Sequence, residues 1–247
     1  MFHNKRFILK EGAFLVADVH YSLKNQHFYS FLEAISSKKL QPSQLLLVGD
    51  IFDALFGEIP QTYKDNQKVI TLLNQLSSSL EIIYFEGNHD FNIKNIFPNI
   101  IILERQKQPT LFSFKDKKVA ILHGDYNMGI SYEIFSAFLR NKFVLKGLNF
   151  INFLCFDCVM KKLQNHLAKK DNCKKIPNFF NIIQQRYRNN REYDYIIEGH
   201  FHQNKIFIFD EFSYINLASF ACNQRYFIVK SLQDKKELLQ EAIFLEE

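Results

Sequence analysis

Residues 82–91 read Ile82-Ile83-Tyr84-Phe85-Glu86-Gly87-Asn88-His89-Asp90-Phe91. A short apolar run rich in β-branched and aromatic residues stops at a glycine-led polar cluster. That is the pattern of a buried strand ending in a sharp turn. The pattern recurs along the chain. Ala13 to Ala17 runs into Asp18-Val19-His20, and Leu45 to Val48 into Gly49-Asp50. Val119 to Leu122 runs into His123-Gly124-Asp125, and Tyr195 to Ile197 into Gly199-His200-Phe201-His202. Stretches of helical character, such as Phe28 to Ile35 and Gln67 to Leu76, separate the first three junctions. The alternation predicts an α/β fold whose polar strand ends share one crevice. Lys205 to Phe209, Phe212 to Leu217 and Tyr226 to Ser231 have no helices between them. They are expected to be antiparallel strands that complete a second sheet.

The junctions hold Asp18, His20, Asp50, Asp53, Asn88, His89, His123, His200 and His202, including five of the eight histidines. One such residue at a strand end is ordinarily structural. Five junctions with metal-ligand chemistry are hard to explain by packing, because buried carboxylates and imidazoles need pairing or a metal. Imidazole, carboxylate and amide oxygen suit Mn, Fe or Zn, and no cysteine joins the set. Two cations about 3.5–4 Å apart can clamp both oxygens of a phosphoryl displacement. The D-x-H and H-x-H spacings would turn both side chains to one side of an extended backbone. His3, His27 and His166 are expected to be surface or satisfied core residues.

The set Asp18-x-His20, Gly49-Asp50-x-x-Asp53, Gly87-Asn88-His89-Asp90, His123-Gly124-Asp125 and Gly199-His200-x-His202 resembles the calcineurin-like metallophosphoesterase superfamily. The resemblance implies a four-layer α-β-β-α sandwich with a dimetal site at the strand ends. It implies one metal on Asp18, His20 and His202, a second on Asn88, His123 and His200, and Asp50 bridging both. Water between the ions would be the nucleophile. The catalytic pair it implies is His89, which contacts the phosphate, with Asp53 holding its ring. Asp90 and Asp125 would support the loops.

Four cysteines in 247 residues do not suggest a disulfide scaffold. Cys155-x-x-Cys158 sits in an apolar helical stretch and reads as buried thiols. No run of 18 apolar residues is present, and Met1 to Lys10 lacks a signal-peptide pattern. The expected setting is cytoplasmic, with peripheral contact to the inner membrane. The formal charge is +5, and its distribution is uneven. Residues 126–198 carry twelve Lys/Arg against six Asp/Glu, whereas the remainder has nineteen against twenty. This segment is expected to be a basic helical insertion, a lid within one domain spanning 1–247. Its stretch Gly147 to Met160 reads GLNFINFLCFDCVM, flanked by Arg140, Lys142 and Lys146 and by Lys161, Lys162, Lys169 and Lys170. Such a stretch suits a membrane surface or a lipid-chain cleft, and equally the core of a subdomain.

Within the superfamily the chain is most similar to the bacterial UDP-2,3-diacylglucosamine hydrolases of lipid A biosynthesis. The residues that carry this are Gly49 to Glu58, Gly87 to Phe91, and His123-Gly124-Asp125 followed by Tyr132, together with the basic helical segment before the last junction. The resemblance implies Mn-dependent cleavage of a lipidated UDP-sugar to UMP and acylated glucosamine 1-phosphate. His89 stands where many members of that family carry Arg. Other readings remain: a phosphodiesterase for another nucleotide, lipid or nucleic acid, a phosphoprotein phosphatase, or a non-catalytic scaffold. A nucleic-acid partner is the weaker of these.

Overall fold

A computed structural model describes residues 7–22, 24–230 and 238–245. The chain begins β1 (Phe7–Ile8), β2 (Phe14–Val16), α1 (His27–Ser36), β3 (Leu45–Val48), β4 (Leu55–Phe56) and α2 (Pro60–Leu76). It continues β5 (Ile82–Phe85), β6 (Asp90–Phe91), β7 (Ile101–Leu103), β8 (Thr110–Phe114) and β9 (Lys117–Leu122). Four helices follow: α3 (Ile130–Leu139), α4 (Lys142–Leu154), α5 (Cys158–Leu167) and α6 (Phe179–Tyr187). The last part is β10 (Tyr195–Glu198), β11 (Lys205–Ile208), β12 (Ser213–Asn216), α7 (Phe220–Asn223), β13 (Arg225–Val229) and β14 (Leu239–Ile243).

Two six-stranded sheets form, ordered β14-β13-β2-β3-β5-β7 and β1-β8-β9-β10-β12-β11. Strands β2, β3, β5 and β7 are mutually parallel, as are β9, β10 and β12. Their apolar runs are buried on both faces, which explains the absence of a polar alternation in the sequence. Leu15, Leu46, Ile83 and Phe85 point inward against Phe112, Val119, Ile121 and Ile197 of the other sheet. The alternate residues Phe14, Val16, Leu45, Leu47 and Ile82 face α1 and α2 through Phe28, Phe31, Leu32, Val69 and Leu73. On the far side Ala120, Leu122, Ile196 and Tyr214 meet Phe179, Ile183 and Tyr187 of α6. The layers are therefore α-β-β-α.

Two expectations need correction. The strand near Tyr226 does not join β11 and β12. As β13 it pairs antiparallel with β2 in the first sheet, because Phe227 and Val229 complete the inter-sheet core. Ser231, like His3, lies outside the described residues. The cysteines are not free thiols. Cys155 bonds Cys158, and Cys173 bonds Cys222. Phe156 and Asp157 adopt left-handed backbone, φ 52° and 64°, which breaks the apolar stretch into two helices bent by 106°. That turn brings the cysteines together.

Within residues 126–198, α6 is the outer layer of the sandwich and β10 is a sheet strand. Helices α3–α5 lie off it. Leu145 and Met160 pack on Ile59 and on Phe91 of the small β4–β6 pair. The Asn141 side chain accepts from the amides of Phe143 and Val144 and so starts α4. No single helix among the described residues is long and apolar enough to cross a membrane.

The opposed burial of neighbouring residues on β3 is testable. Leu46→Ala and Leu47→Ala should each lower unfolding stability by about 2–5 kcal/mol in urea titration. A near-neutral result at either position would mean that its face of the sheet is not packed.

Candidate metal centre

The strand ends β2, β3, β5, β9 and β10 bring together the side chains of all five junctions. The loops interlock through the backbone: Asp18 N donates to Gly49 O at 3.1 Å and His20 N to Asp50 O at 3.0 Å. The D-x-H and H-x-H pairs are not extended as expected. Asp18, His20, Asp50, His200 and His202 all have left-handed backbone, with φ from 48° to 61°. Such conformations cost about 1–3 kcal/mol each and concentrate at functional sites. Glycine permits the closest approaches. A Cβ on Gly87 would lie 2.2 Å from Asp50 Oδ1, and one on Gly49 (φ 77°) would meet the His123 ring at 2.3 Å.

Three groups of ligand atoms lie within 4.8 Å of one another: Asp18, His20 and His202; His20, Asp50 and His89; Asp50, His123 and His200. His202 Nε2 is 3.0 Å from Asp18 Oδ1, and His123 Nε2 is 3.5 Å from Asp50 Oδ1. Asn88 Oδ1 is 3.3 Å from His123 Nε2. Three imidazoles share one anchoring scheme. Nδ1 of His123 donates to Val48 O at 3.1 Å, Nδ1 of His89 to Asp53 O at 2.8 Å, and Nδ1 of His202 to Asn172 O. A carbonyl can only accept, so Nδ1 carries the proton and Nε2 faces the carboxylates. This is how metal-binding histidines are generally oriented. The expected ring support of His89 by Asp53 is therefore made by the main-chain carbonyl. The Asp53 carboxylate instead lies 3.3 Å from His20 Nδ1.

Burial opposes charge on Asp50, yet the imidazoles of His123 and His89 hold its carboxyl well below the usual range. Asp18 is also lowered, because His202 outweighs the effect of burial. His123 is pushed up to about 10: burial acts against its charge, and Asp50 prevails. Burial, aided by the charge of His123, pushes His200 down to about 4. Buried His20 has an Nε2 with no hydrogen-bond partner among the described residues. A buried imidazole with an unpartnered nitrogen, grouped with the carboxylates of Asp18 and Asp50, is a donor set that fits a divalent cation.

Several supporting groups escaped the sequence reading. Asp90 and Asp125 do support loops as expected, and their partners are new. Arg140, read only as a basic flank, has its side chain largely covered, 9% exposed. It donates to Gly87 O at 2.7 Å and pairs with Asp125 Oδ2 at 3.2 Å and with Glu86 Oε2 at 3.4 Å. Arg105 pairs with Asp125 and Glu133. Arg186 pairs with buried Glu198 at 3.0 Å, one residue before Gly199. Lys170 Nζ lies 3.3 Å from His89 Nε2. Glu86 and Glu198, charged residues that each close an apolar strand run, were the sequence signals for these ion pairs. His27 and His166 are exposed and lie outside these groups.

A profile of calcineurin-like phosphoesterases matches residues 14–204, which include all five junctions. The UDP-2,3-diacylglucosamine hydrolase of Vibrio atlanticus is 22% identical over 203 residues, covering 80% of this chain and 83% of its own. The protein of that name from Histophilus somni is 27% identical over 114 residues, 46% of this chain. That stretch covers 49% of the Histophilus protein, so the match spans about half of that relative's length. A solved archaeal phosphodiesterase is similar over 94% of this chain and 99% of its own, at 14% identity and a TM-score of 0.44.

Gly87→Ala should displace Asp50 and weaken Mn binding by roughly 10–100-fold in calorimetric titration. Gly147→Ala, with nothing within 4 Å of its added Cβ, should leave Mn binding alone and stabilise α4 by up to about 1 kcal/mol. Unchanged Mn affinity in Gly87→Ala would contradict the crowding at Asp50.

Proposed function

The chain belongs to the calcineurin-like phosphoesterase family and is a metal-dependent phosphoesterase; from that premise we propose that it cleaves the pyrophosphate of UDP-2,3-diacylglucosamine. The products would be UMP and acylated glucosamine 1-phosphate. The relatives that carry this name support the substrate, and one structural observation carries the reading: an exposed apolar surface is tied to the metal crevice.

That surface lies on α3 and α4 and the turn after them. Phe143 is 83% exposed, Phe153 75% and Phe156 86%, beside Ile130, Ile134 and Phe150. The segment leaves and returns at the crevice. Arg140 fixes the α3–α4 junction to Gly87, and Lys170 beyond α5 reaches His89. Of the twelve basic residues counted in 126–198, Arg140 and Arg186 are used internally. The exposed lysines, including Lys142, Lys146, Lys161 and Lys162, border the apolar helices. Acyl chains would lie along the phenylalanines, with the nucleotide-linked phosphates held at His89 and Lys170. The same surface suits peripheral attachment to the cytoplasmic face of the inner membrane.

Asp18, His20 and His202 would hold one cation and Asn88, His123 and His200 the other, with Asp50 shared by both and Mn the expected metal. The chemistry supplied by bound cations would be a water made acidic enough to ionise near neutral pH and neutralisation of phosphoryl oxygens. The chain's own groups do the rest. His89 Nε2, between Asp50 and Lys170, would meet the reacting phosphate, with its ring fixed through Nδ1. The charge of Lys170 is placed to draw the second phosphate to the same point. The carbonyls of Val48 and Asn172 keep His123 and His202 from turning away.

With Mn present, the purified protein should release UMP from UDP-2,3-diacylglucosamine, and Asp50→Ala should reduce release to background. Replacing Phe153 and Phe156 by Ser should reduce cleavage of the lipid substrate roughly tenfold or more per ring. A short soluble diester should be cleaved as before. Cleavage of generic diesters without UMP release from the lipid would replace this substrate by another diester. Equal losses on both substrates would make the phenylalanines structural.

A further inference from the structure

We infer that Cys173–Cys222 is a reversible redox site that holds a strap, residues 168–178, against the metal crevice and thereby sets the geometry of His202. The inference rests on the reading of Asp18, His20 and His202 as ligands of one cation.

The disulfide joins two pieces of chain that both touch this ligand group. Cys222 lies on α7, whose start is fixed to the Asp18 segment. Phe220 N donates to Ala17 O at 3.0 Å, Ala221 N to Asp18 O at 3.3 Å, and Ser219 Oγ to Asp18 O at 2.7 Å. Cys173 lies on the strap, directly after Asn172, whose carbonyl oxygen accepts from His202 Nδ1. Cys222 Sγ is 3.4 Å from that same oxygen. The covalent tether and the orienting contact are therefore adjacent. Lys170 of the same strap reaches His89.

The strap has little else to hold it. It contains no helix or strand, and Lys169, Lys170, Asp171, Cys173, Lys174 and Lys175 are exposed. Its other anchors, among the described residues, lie past Cys173: Gln203 accepts from Ile176 N at 2.9 Å and donates to Lys174 O at 3.0 Å, and the Ile176 side chain packs on the Phe179–Tyr214 cluster. Breaking the disulfide leaves Asn172 held by hydrogen bonds and, four residues on, by the packing of Ile176. His123 is anchored elsewhere, on Val48 of β3, so the second ligand group does not depend on the strap.

Cys173 is exposed, so a soluble dithiol can reach it. A thiolate of the dithiol attacks Cys173 Sγ and the Cys173–Cys222 bond breaks. Cys222 leaves as a thiolate and takes up a proton. The second thiol then displaces Cys173 and closes the reagent into a cyclic disulfide. Two electrons and two protons pass to the cysteines. The freed strap leaves His202 Nδ1 without a fixed acceptor, and loss of such a partner typically costs 10–100-fold in metal affinity.

The test uses the full chain, oxidised and dithiol-treated, together with a Cys173→Ser/Cys222→Ser variant. A Cys155→Ser/Cys158→Ser variant removes the other disulfide as a contributor. Two readouts are taken: stepwise Mn binding by calorimetry, and trypsin cleavage after Lys169, Lys170, Lys174 and Lys175. The oxidised protein should bind two Mn and resist cleavage in the strap. Reduction, or loss of Cys173 and Cys222, should weaken one Mn step 10–100-fold, leave the other unchanged and open the strap to trypsin. Far-UV circular dichroism should be unchanged throughout. Two Mn steps that ignore the redox state would overturn the inference, as would a strap cut equally in both states. Failure to bind Mn in either state would instead contradict the ligand assignment, and the trypsin result would then decide the strap alone.

Discussion

The crevice depends on one buried carboxylate. Asp90 accepts from Asp50 N at 3.1 Å, Ile51 N at 2.6 Å, Phe52 N at 3.3 Å, Gly87 N at 2.8 Å and the Tyr84 hydroxyl at 2.6 Å. Burial, then the nearby charge of Asp50, pushes its pKa up to about 6, against the pull of these donors. Five donors on one carboxylate lock the loop after β3 to the loop after β5. Asp50 in turn accepts from His89 N at 2.8 Å. These contacts place the carboxylate read as a bridge, the Asn88 amide and the His89 ring relative to one another. Desolvating Asp90 is costly, and the hydrogen bonds offset that cost only when all are made together.

A second layer of ion pairs relates the helical segment to this lock. Arg140 sits over the Phe91 ring at 4.8 Å while it holds Gly87, Glu86 and Asp125. Asn92 Nδ2 returns the contact by donating to Arg140 O at 2.9 Å. The helices that present the apolar surface are thus connected, through one guanidinium, to the residue before Asn88. Removing such a guanidinium would be costly, because its buried partners Glu86 and Asp125 would be left uncompensated. The arrangement gives a physical route by which the position of α3 and α4 bears on the reacting centre.

Much of this was legible in the sequence. The apolar runs ending in Asp, His, Asn and Gly located the strand ends, because parallel strands buried on both faces must be apolar throughout and must turn abruptly. The five junctions therefore named the residues that the fold brings together. What escaped depended on tertiary register. The pairing of β13 with β2 rather than with β12 cannot be told from a strand pattern common to both sheets. Left-handed backbone at Asp18 and His20 has no glycine to announce it. Arg140 and Lys170 looked like solvated flanks, since the contacts a cation makes depend on partners distant in sequence, Gly87 and Glu86 for one and His89 for the other. The disulfides follow from a reversal at Phe156 and Asp157, and from a 49-residue separation between Cys173 and Cys222.

The five junctions are proposed to form one two-cation centre built around Asp50. Anomalous diffraction from crystals grown with Mn tests it most directly. Two peaks about 3.5–4 Å apart are expected, one bounded by Asp18, His20 and His202 and the other by Asn88, His123 and His200, with Asp50 between them. A single peak seated on His20, Asp50 and His89, or peaks remote from the crevice, would contradict it.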